Sequence, residues 1–179
     1  MSTSKSKTCR RALLVYGRGP AAALGLSFPA LFSSAGFETR VLLLPESRGW
    51  VAEEALRTFS HGDPLTESTR PGWAQTLSAF DLTVFLGLSP GTVQDLLRNE
   101  PHHPLLQNVC RSGGTLSALF NAPAPFSTPL SIDNTGSLLF WNHLPENLTE
   151  GRQVCEKTFA QLIRHLEASR KTQGKTFQC

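Results

Sequence analysis

Three short polar turns hold the residues of this chain best suited to bind a ligand. Gly17-Arg18-Gly19 follows one apolar run, Glu46-Ser47-Arg48 follows a second that ends in Pro45, and Leu88-Ser89-Pro90-Gly91-Thr92 follows a third. Glycine, serine and threonine in such turns offer backbone N–H groups and hydroxyls to an anion. Together with Ser27, Asn121 and Ser127 they make a set rich in hydroxyls and holding two arginines. That set suits a phosphate and a polar ring better than it suits acid–base chemistry. The competing explanation for each serine and threonine is helix capping, and for Ser89-Pro90-Gly91 a plain turn into the next helix.

Other chemistry is poorly supplied. There is no G-x-S-x-G elbow and no P-loop. Gly17-x-Gly19 has no third glycine three residues on, where Ala22 stands, and Glu46 lies beyond Pro45 rather than closing the second run. As a dinucleotide fingerprint this is weak, and a nicotinamide cofactor is not expected. Cys9, Cys110, Cys155 and Cys179 are scattered without a C-x-x-C pair, which argues against zinc and against a disulfide framework. Reduced thiols are expected, with Cys110 buried rather than nucleophilic. His102 and His103 are adjacent and bracketed by prolines, a poor arrangement for one metal ion.

The elements that must position these turns alternate between strand and helix. Arg11 to Tyr16 reads as a buried strand, Ala21 to Ala35 as a helical segment broken or kinked at Pro29, and Phe37 to Leu44 as a second strand. Trp50 to Ser60 reads as a short helix with Val51, Ala55, Leu56 and Phe59 on one face, and Gly62-Asp63-Pro64 as a turn. Leu65 to Gly72 reads as a surface loop, and Trp73 to Ala79 as one or two helical turns. The run from Phe80 is a third strand, after which a helix restarts over Val93 to Arg98 and resumes over Leu105 to Arg111. Thr115 to Asn121 is a fourth strand, Ala122 to Pro129 a loop, and Gly136 to Trp141 a short fifth strand. Gln153 to Ser169 is an amphipathic helix, with Val154, Phe159, Leu162, Ile163 and Leu166 at helical spacing. This pattern predicts a three-layer Rossmann- or flavodoxin-like α/β domain with a mostly parallel sheet, the Gly17, Pro45, Leu88 and Ala122 turns lying along one edge.

Length and charge narrow the partners. At 179 residues the chain can build one domain with a sizeable core, expected over residues 11–169 between polar arms at 1–10 and 170–179. The net charge of +3 is concentrated in those ends, at Lys5, Lys7, Arg10 and Arg11 and at Arg170, Lys171 and Lys175. Without those seven residues the body carries no basic excess, its acidic residues outnumbering its basic ones, so no nucleic-acid partner is expected. No apolar run approaches the ~20 residues of a membrane span, and a cytoplasmic address is expected.

Over about residues 11 to 126 the chain resembles the homo-oligomeric flavin-containing Cys decarboxylase family. The likeness rests on the strand, turn and helix of Leu13 to Ala35, and on Val41 to Ser47 leading through Trp50–Ser60 to Gly62-Asp63-Pro64. It continues in Phe80-Asp81 before the Leu88–Thr92 loop, and in Ala122-Pro123-Ala124-Pro125-Phe126 after the fourth strand. The resemblance implies FMN, or a related phosphorylated ligand, near Gly17, Arg18, Gly19, Ser47, Ser89, Pro90, Gly91 and Thr92, and it implies homo-oligomers with sites between subunits. The family's two asparagines would fall at Gly91 and Phe126, and its histidine has no counterpart between Thr69 and Ala79. Cys-decarboxylase activity is therefore not expected. The chain also looks like the DJ-1/class I amidotransferase-like fold, but no cysteine stands near Asn121 and Ala21 to Ala23 replace the expected glutamate. That likeness implies a non-catalytic interaction module or partner subunit.

Overall fold

The computed structural model describes residues 10–66, 80–98, 100, 102–107, 116–120, 130–132 and 137–142, and 153–168 except 154, 158 and 165. Six strands form one sheet: β1 (Arg10–Tyr16), β2 (Phe37–Leu43), β3 (Leu82–Leu86), β4 (Leu116–Phe120), β5 (Leu130–Ile132) and β6 (Ser137–Asn142). Their order is β2-β1-β3-β4-β6-β5. The first five in that order are parallel, and β5 pairs antiparallel with β6 as the far edge. β3 is buried at every position, which is why Leu82-Thr-Val-Phe-Leu86 reads as a continuous apolar run rather than an alternating one. The chain leaves β1 for β2 on one side and returns to β3 on the other, so the topological switch point lies between β1 and β3.

Among the described residues, short helices follow the strands at α1 (Pro20–Leu24), α2 (Phe28–Ser34), α3 (Glu53–Arg57) and α4 (Pro90–Leu97). Residues 104–107 form a further turn, and a C-terminal helix occupies the described residues of 153–168. One core packs Leu14, Tyr16, Val41 and Val84 against Phe28 and Phe32 of α2, Leu56 of α3 and Cys155, Leu162 and Leu166 of the C-terminal helix. Phe32 meets Phe37 and Phe159 edge-on, at centroid distances of 5.2 and 4.9 Å, joining α2 to β2 and to the C-terminal helix. The other core packs Leu13, Val15, Leu42 and Phe85 against Val93 and Leu96 of α4 and Leu105 and Leu106. Three layers and a mostly parallel sheet are thus observed, as the alternating pattern predicts.

Local expectations are corrected in four places. The helix over Ala21 to Ala35 is two helices joined by a 3₁₀ turn at Gly25–Ser27, and Pro29 sits in the first turn of α2, where its missing N–H costs nothing. The helix after β3 begins at Pro90, not Val93, because proline suits a first helical position and Ser89 caps it. Trp50 to Ser60 is helical only over Glu53–Arg57, since Trp50 and Val51 N–H are drawn back onto Ser47 C=O at 3.0 and 3.2 Å. Its expected apolar face does not form: Leu56 is buried, whereas Ala55 is exposed and Trp50 and Phe59 remain 49% and 45% exposed. Leu65 belongs to no surface loop, because it is buried and bridges Leu42 outside β2, donating to Val41 C=O and accepting from Leu43 N–H at 2.8 Å each.

β5 has no counterpart among the expected strands, being only Leu130-Ser131-Ile132. The expected elements at 67–79, 108–111 and 122–129, and the two terminal arms, lie outside the described residues. No helix among the described residues is long and apolar enough to cross a membrane.

Candidate functional site

The carboxyl ends of β1 and β3 meet through glycine. Gly17 N–H donates to Leu86 C=O at 2.7 Å, and Arg18 N–H to Gly87 C=O at 2.6 Å. A side chain on Gly17 would strike the Gly87 carbonyl, and one on Gly87 would strike the Arg18 carbonyl. Gly87 also has φ +72°, a conformation that a β-carbon disfavours. This close approach brings the Gly17-Arg18-Gly19 turn and the Leu88–Thr92 loop together at the switch point, where open α/β sheets bind ligands.

The hydroxyls of the second turn are already in use. Ser89 Oγ accepts the Thr92 N–H at 3.2 Å and lies 2.7 Å from Thr92 Oγ1. Both side chains take part in capping α4. Pro90 has no N–H to give, and Gly91 N–H has no partner among the described residues, nor do those of Gly19 and Ala21. Arg18 is exposed and makes no ion pair among the described residues. The switch-point edge therefore presents one free guanidinium and three free peptide donors, a set that fits an anionic group.

Ser47 follows the carboxyl end of β2, which lies beside that of β1, Leu44 N–H donating to Tyr16 C=O at 3.0 Å. It ends a 3₁₀ turn, Pro45–Ser47, and lines a cavity of about 400 Å³ between the carboxyl end of β2, α3 and the chain at 63–66. The residue is 4% exposed, and its hydroxyl has no partner among the described residues. Arg48 lines the same cavity, exposed and equally unpaired. Arg57, also in the lining, is held by Glu53 at 2.9 Å and Asp63 at 3.4 Å.

Of the eight residues expected to share a site, seven are at the β1 and β3 ends and Ser47 is at the end of β2. Ser27 turns away to the Leu24 carbonyl at 3.4 Å, and Asn121 and Ser127 lie outside the described residues. Gly87 and the cavity's Arg57 and Asp63 were not singled out from sequence. A glycine directly before the Leu88 turn was the available signal for the first. Among the described residues no three His, Cys, Asp or Glu side chains gather as metal ligands would.

Two titrating groups lie deep in the core beneath this edge. Burial pushes the Tyr16 phenol well above its ordinary value, with the Cys155 thiol adding to the effect. The Cys155 thiol is itself raised, mainly by burial, with Glu156 adding a little and Ser27 opposing. Neither faces the turns, and both read as structural.

No protein-family model matches the chain, and no curated protein sequence matches it. Solved structures do. The FMN-dependent cysteine decarboxylase TvaF from thioviridamide biosynthesis is 15% identical, with TM-score 0.56, over 90% of this chain and 98% of its own. AnUbiX (PadA1), solved with FMN and dimethylallyl pyrophosphate, is 11% identical with TM-score 0.53, over 74% of this chain and 77% of its own. The cypemycin decarboxylase CypD is 15% identical with TM-score 0.50, over 84% and 78% respectively. The three-layer architecture built around the Gly17–Gly87 contact is the fold of the FMN-dependent cysteine decarboxylases.

Proposed function

We propose that this chain is a divergent flavoprotein that binds FMN, or a related phosphorylated ligand, at the carboxyl ends of β1 and β3. The observation that carries this reading is the backbone contact of Gly17 and Arg18 with Leu86 and Gly87, which gathers two ligand-type turns at the switch point. The fold is one in which FMN is held by solved neighbours, TvaF being named FMN-dependent and AnUbiX being solved with FMN. Arg18 would meet the phosphate, with the free N–H groups of Gly19, Ala21 and Gly91 beside it. Bound FMN supplies two-electron redox chemistry. Ser89 and Thr92 hold the first turn of α4 in place, and Pro90 starts it.

The reading does not extend to cysteine decarboxylation, because Gly91 and Phe126 stand where that family carries asparagines. A cytoplasmic flavoprotein of a single domain over 11–169, assembled as a homo-oligomer, completes the proposal.

The test is a fluorescence titration of FMN with the purified chain, followed by gel filtration. The expected result is quenching, with flavin absorbance travelling with the protein at an oligomer's elution volume. Arg18→Ala should weaken FMN at least about tenfold, the worth of one charge-assisted hydrogen bond, without lowering the melting temperature. Absence of quenching, or equal affinity in Arg18→Ala, would overturn the site. Carbon dioxide release from a peptide with a C-terminal cysteine would overturn the statement on decarboxylation.

A further inference from the structure

The two ends of the folded domain lie together. Arg10 opens β1, and its guanidinium reaches Glu167, near the end of the C-terminal helix, at 3.3 Å. The same guanidinium stands over the ring of Phe37, which opens β2, at 5.8 Å from the centroid. Arg11 C=O accepts from Asp81 N–H at 2.9 Å, just before β3. These contacts put residues 10 and 167 at the amino end of the sheet. The flavin edge is at the other end, because β1 runs for seven residues before Gly17, about 23 Å at ~3.3 Å per residue.

Both basic stretches of the sequence therefore start from one place. Residues 1–9 hold Lys5 and Lys7, residues 169–179 hold Arg170, Lys171 and Lys175, and neither stretch holds an acidic residue. Chain length alone keeps Lys7 within ~11 Å of Arg10, and Arg170 within ~11 Å of Glu167, at ~3.6 Å per residue. Those spans are comparable with the ~10 Å over which charges act on one another in dilute salt. Two carboxylates at this end are already in use, Glu167 holding Arg10 and Glu38 holding Arg11, each at 3.3 Å. In the rest of the chain acidic residues outnumber basic ones, so the excess positive charge belongs to this end.

We infer that the amino end of the sheet is a docking face for an anionic lipid surface. Five cations with no acid among them complement phosphate-bearing headgroups. Four of the five are lysines. A lysine is a hydrated point charge, suited to a diffuse charged plane, whereas nucleic-acid and phosphopeptide recognition favours the bidentate fork of arginine. Phe177, the one aromatic residue in the two stretches, adds an apolar side chain of the kind that enters the headgroup boundary. A lipid surface is wide enough to engage both stretches at once, and docking there leaves the Gly17 and Leu88 turns on the far side. The inference does not depend on flavin binding.

The test is co-sedimentation of the full chain with vesicles of phosphatidylcholine alone and of phosphatidylcholine with about one-third phosphatidylserine. The expected result is at least about tenfold tighter binding to the anionic vesicles, lost in about 1 M salt, where the screening length falls to ~3 Å. Lys5→Gln with Lys7→Gln, and separately Arg170→Gln with Lys171→Gln and Lys175→Gln, should each lower that binding at least about tenfold, since one cation near the surface is worth about fivefold. The melting temperature of each variant should match that of the parent chain. Equal binding to both kinds of vesicle, binding that survives the salt, either variant binding like the parent, or tighter binding to a double-stranded oligonucleotide than to the anionic vesicles would overturn the proposal.

Discussion

At the residue scale the most consequential side chain is one that is absent. Gly87 has φ +72°, its missing β-carbon would meet the Arg18 carbonyl, and Ala22 N lies 3.0 Å from that position. Gly87→Ala should lower stability by more than about 1 kcal/mol, read as a lower urea midpoint. Gly91→Ala is the control, because nothing stands within 4 Å of the added carbon and the backbone there is helical. It should leave the midpoint unchanged or raise it. Equal effects of the two substitutions would show that the Gly17–Gly87 contact is not what constrains the loops. Ser89→Ala removes the acceptor of the Thr92 N–H and should cost ~1 kcal/mol of thermal stability, with Ser89→Asp restoring it. A capping role for Ser89 was visible in the sequence as the competing explanation, since serine before proline at a helix start is a local signal. Which role prevails depends on where the hydroxyl points, and only the fold sets that.

At the scale of elements, the link from β1 to the helical layer is the phenol of Tyr16. Its OH donates to the Gly25 carbonyl at 2.8 Å, and both residues are buried. That bond holds the 3₁₀ turn between α1 and α2 against the sheet. The Gly25 carbonyl also accepts the Phe28 N–H, so Tyr16→Phe removes one of its two donors and should cost about 0.5–1.5 kcal/mol in urea unfolding. An unchanged urea midpoint would show that the phenol adds nothing to the bond from Phe28. The break in the helix was legible from Pro29, which cannot continue an earlier helix. The α3 region was misjudged from sequence because Val51, Leu56 and Phe59 have helical spacing, yet the 3₁₀ turn at Pro45–Ser47 reaches Trp50 and Val51 by backbone hydrogen bonds before a helix can start.

The whole molecule should respond to alkaline pH. Tyr16 and Cys155 lie in one core, and burial raises the pKa of each. The folded chain therefore keeps protons that the unfolded chain gives up. Their contribution to stability is complete below the ordinary thiol and phenol values of 9.0 and 10.0, and it is lost as pH rises above them towards the folded values. The melting temperature should fall between about pH 9 and pH 11, with the lower part of the fall absent in Cys155→Ala. A melting temperature flat across that window would show that these groups titrate alike in both states.

The sequence by itself determined five of the six strands, their alternation with helices, and that three of their carboxyl ends carry polar turns; the three-residue β5 it did not show. Those properties follow from apolar runs cut by Gly, Pro and Ser, and they are local. It determined the amphipathic C-terminal helix for the same reason, although Cys155 on its buried side went unnoticed because a lone cysteine carries no periodic signal. The tertiary structure decided which ends meet. Gly17 and Gly87 are far apart in the chain, and their need for each other appears only when β1 and β3 lie side by side. It also decided that Ser47 faces a cavity closed by the chain at 63–66, which adds to the outer edge of β2 through Leu65. Edge pairing and backbone approach are long-range backbone properties, and side-chain pattern does not encode them.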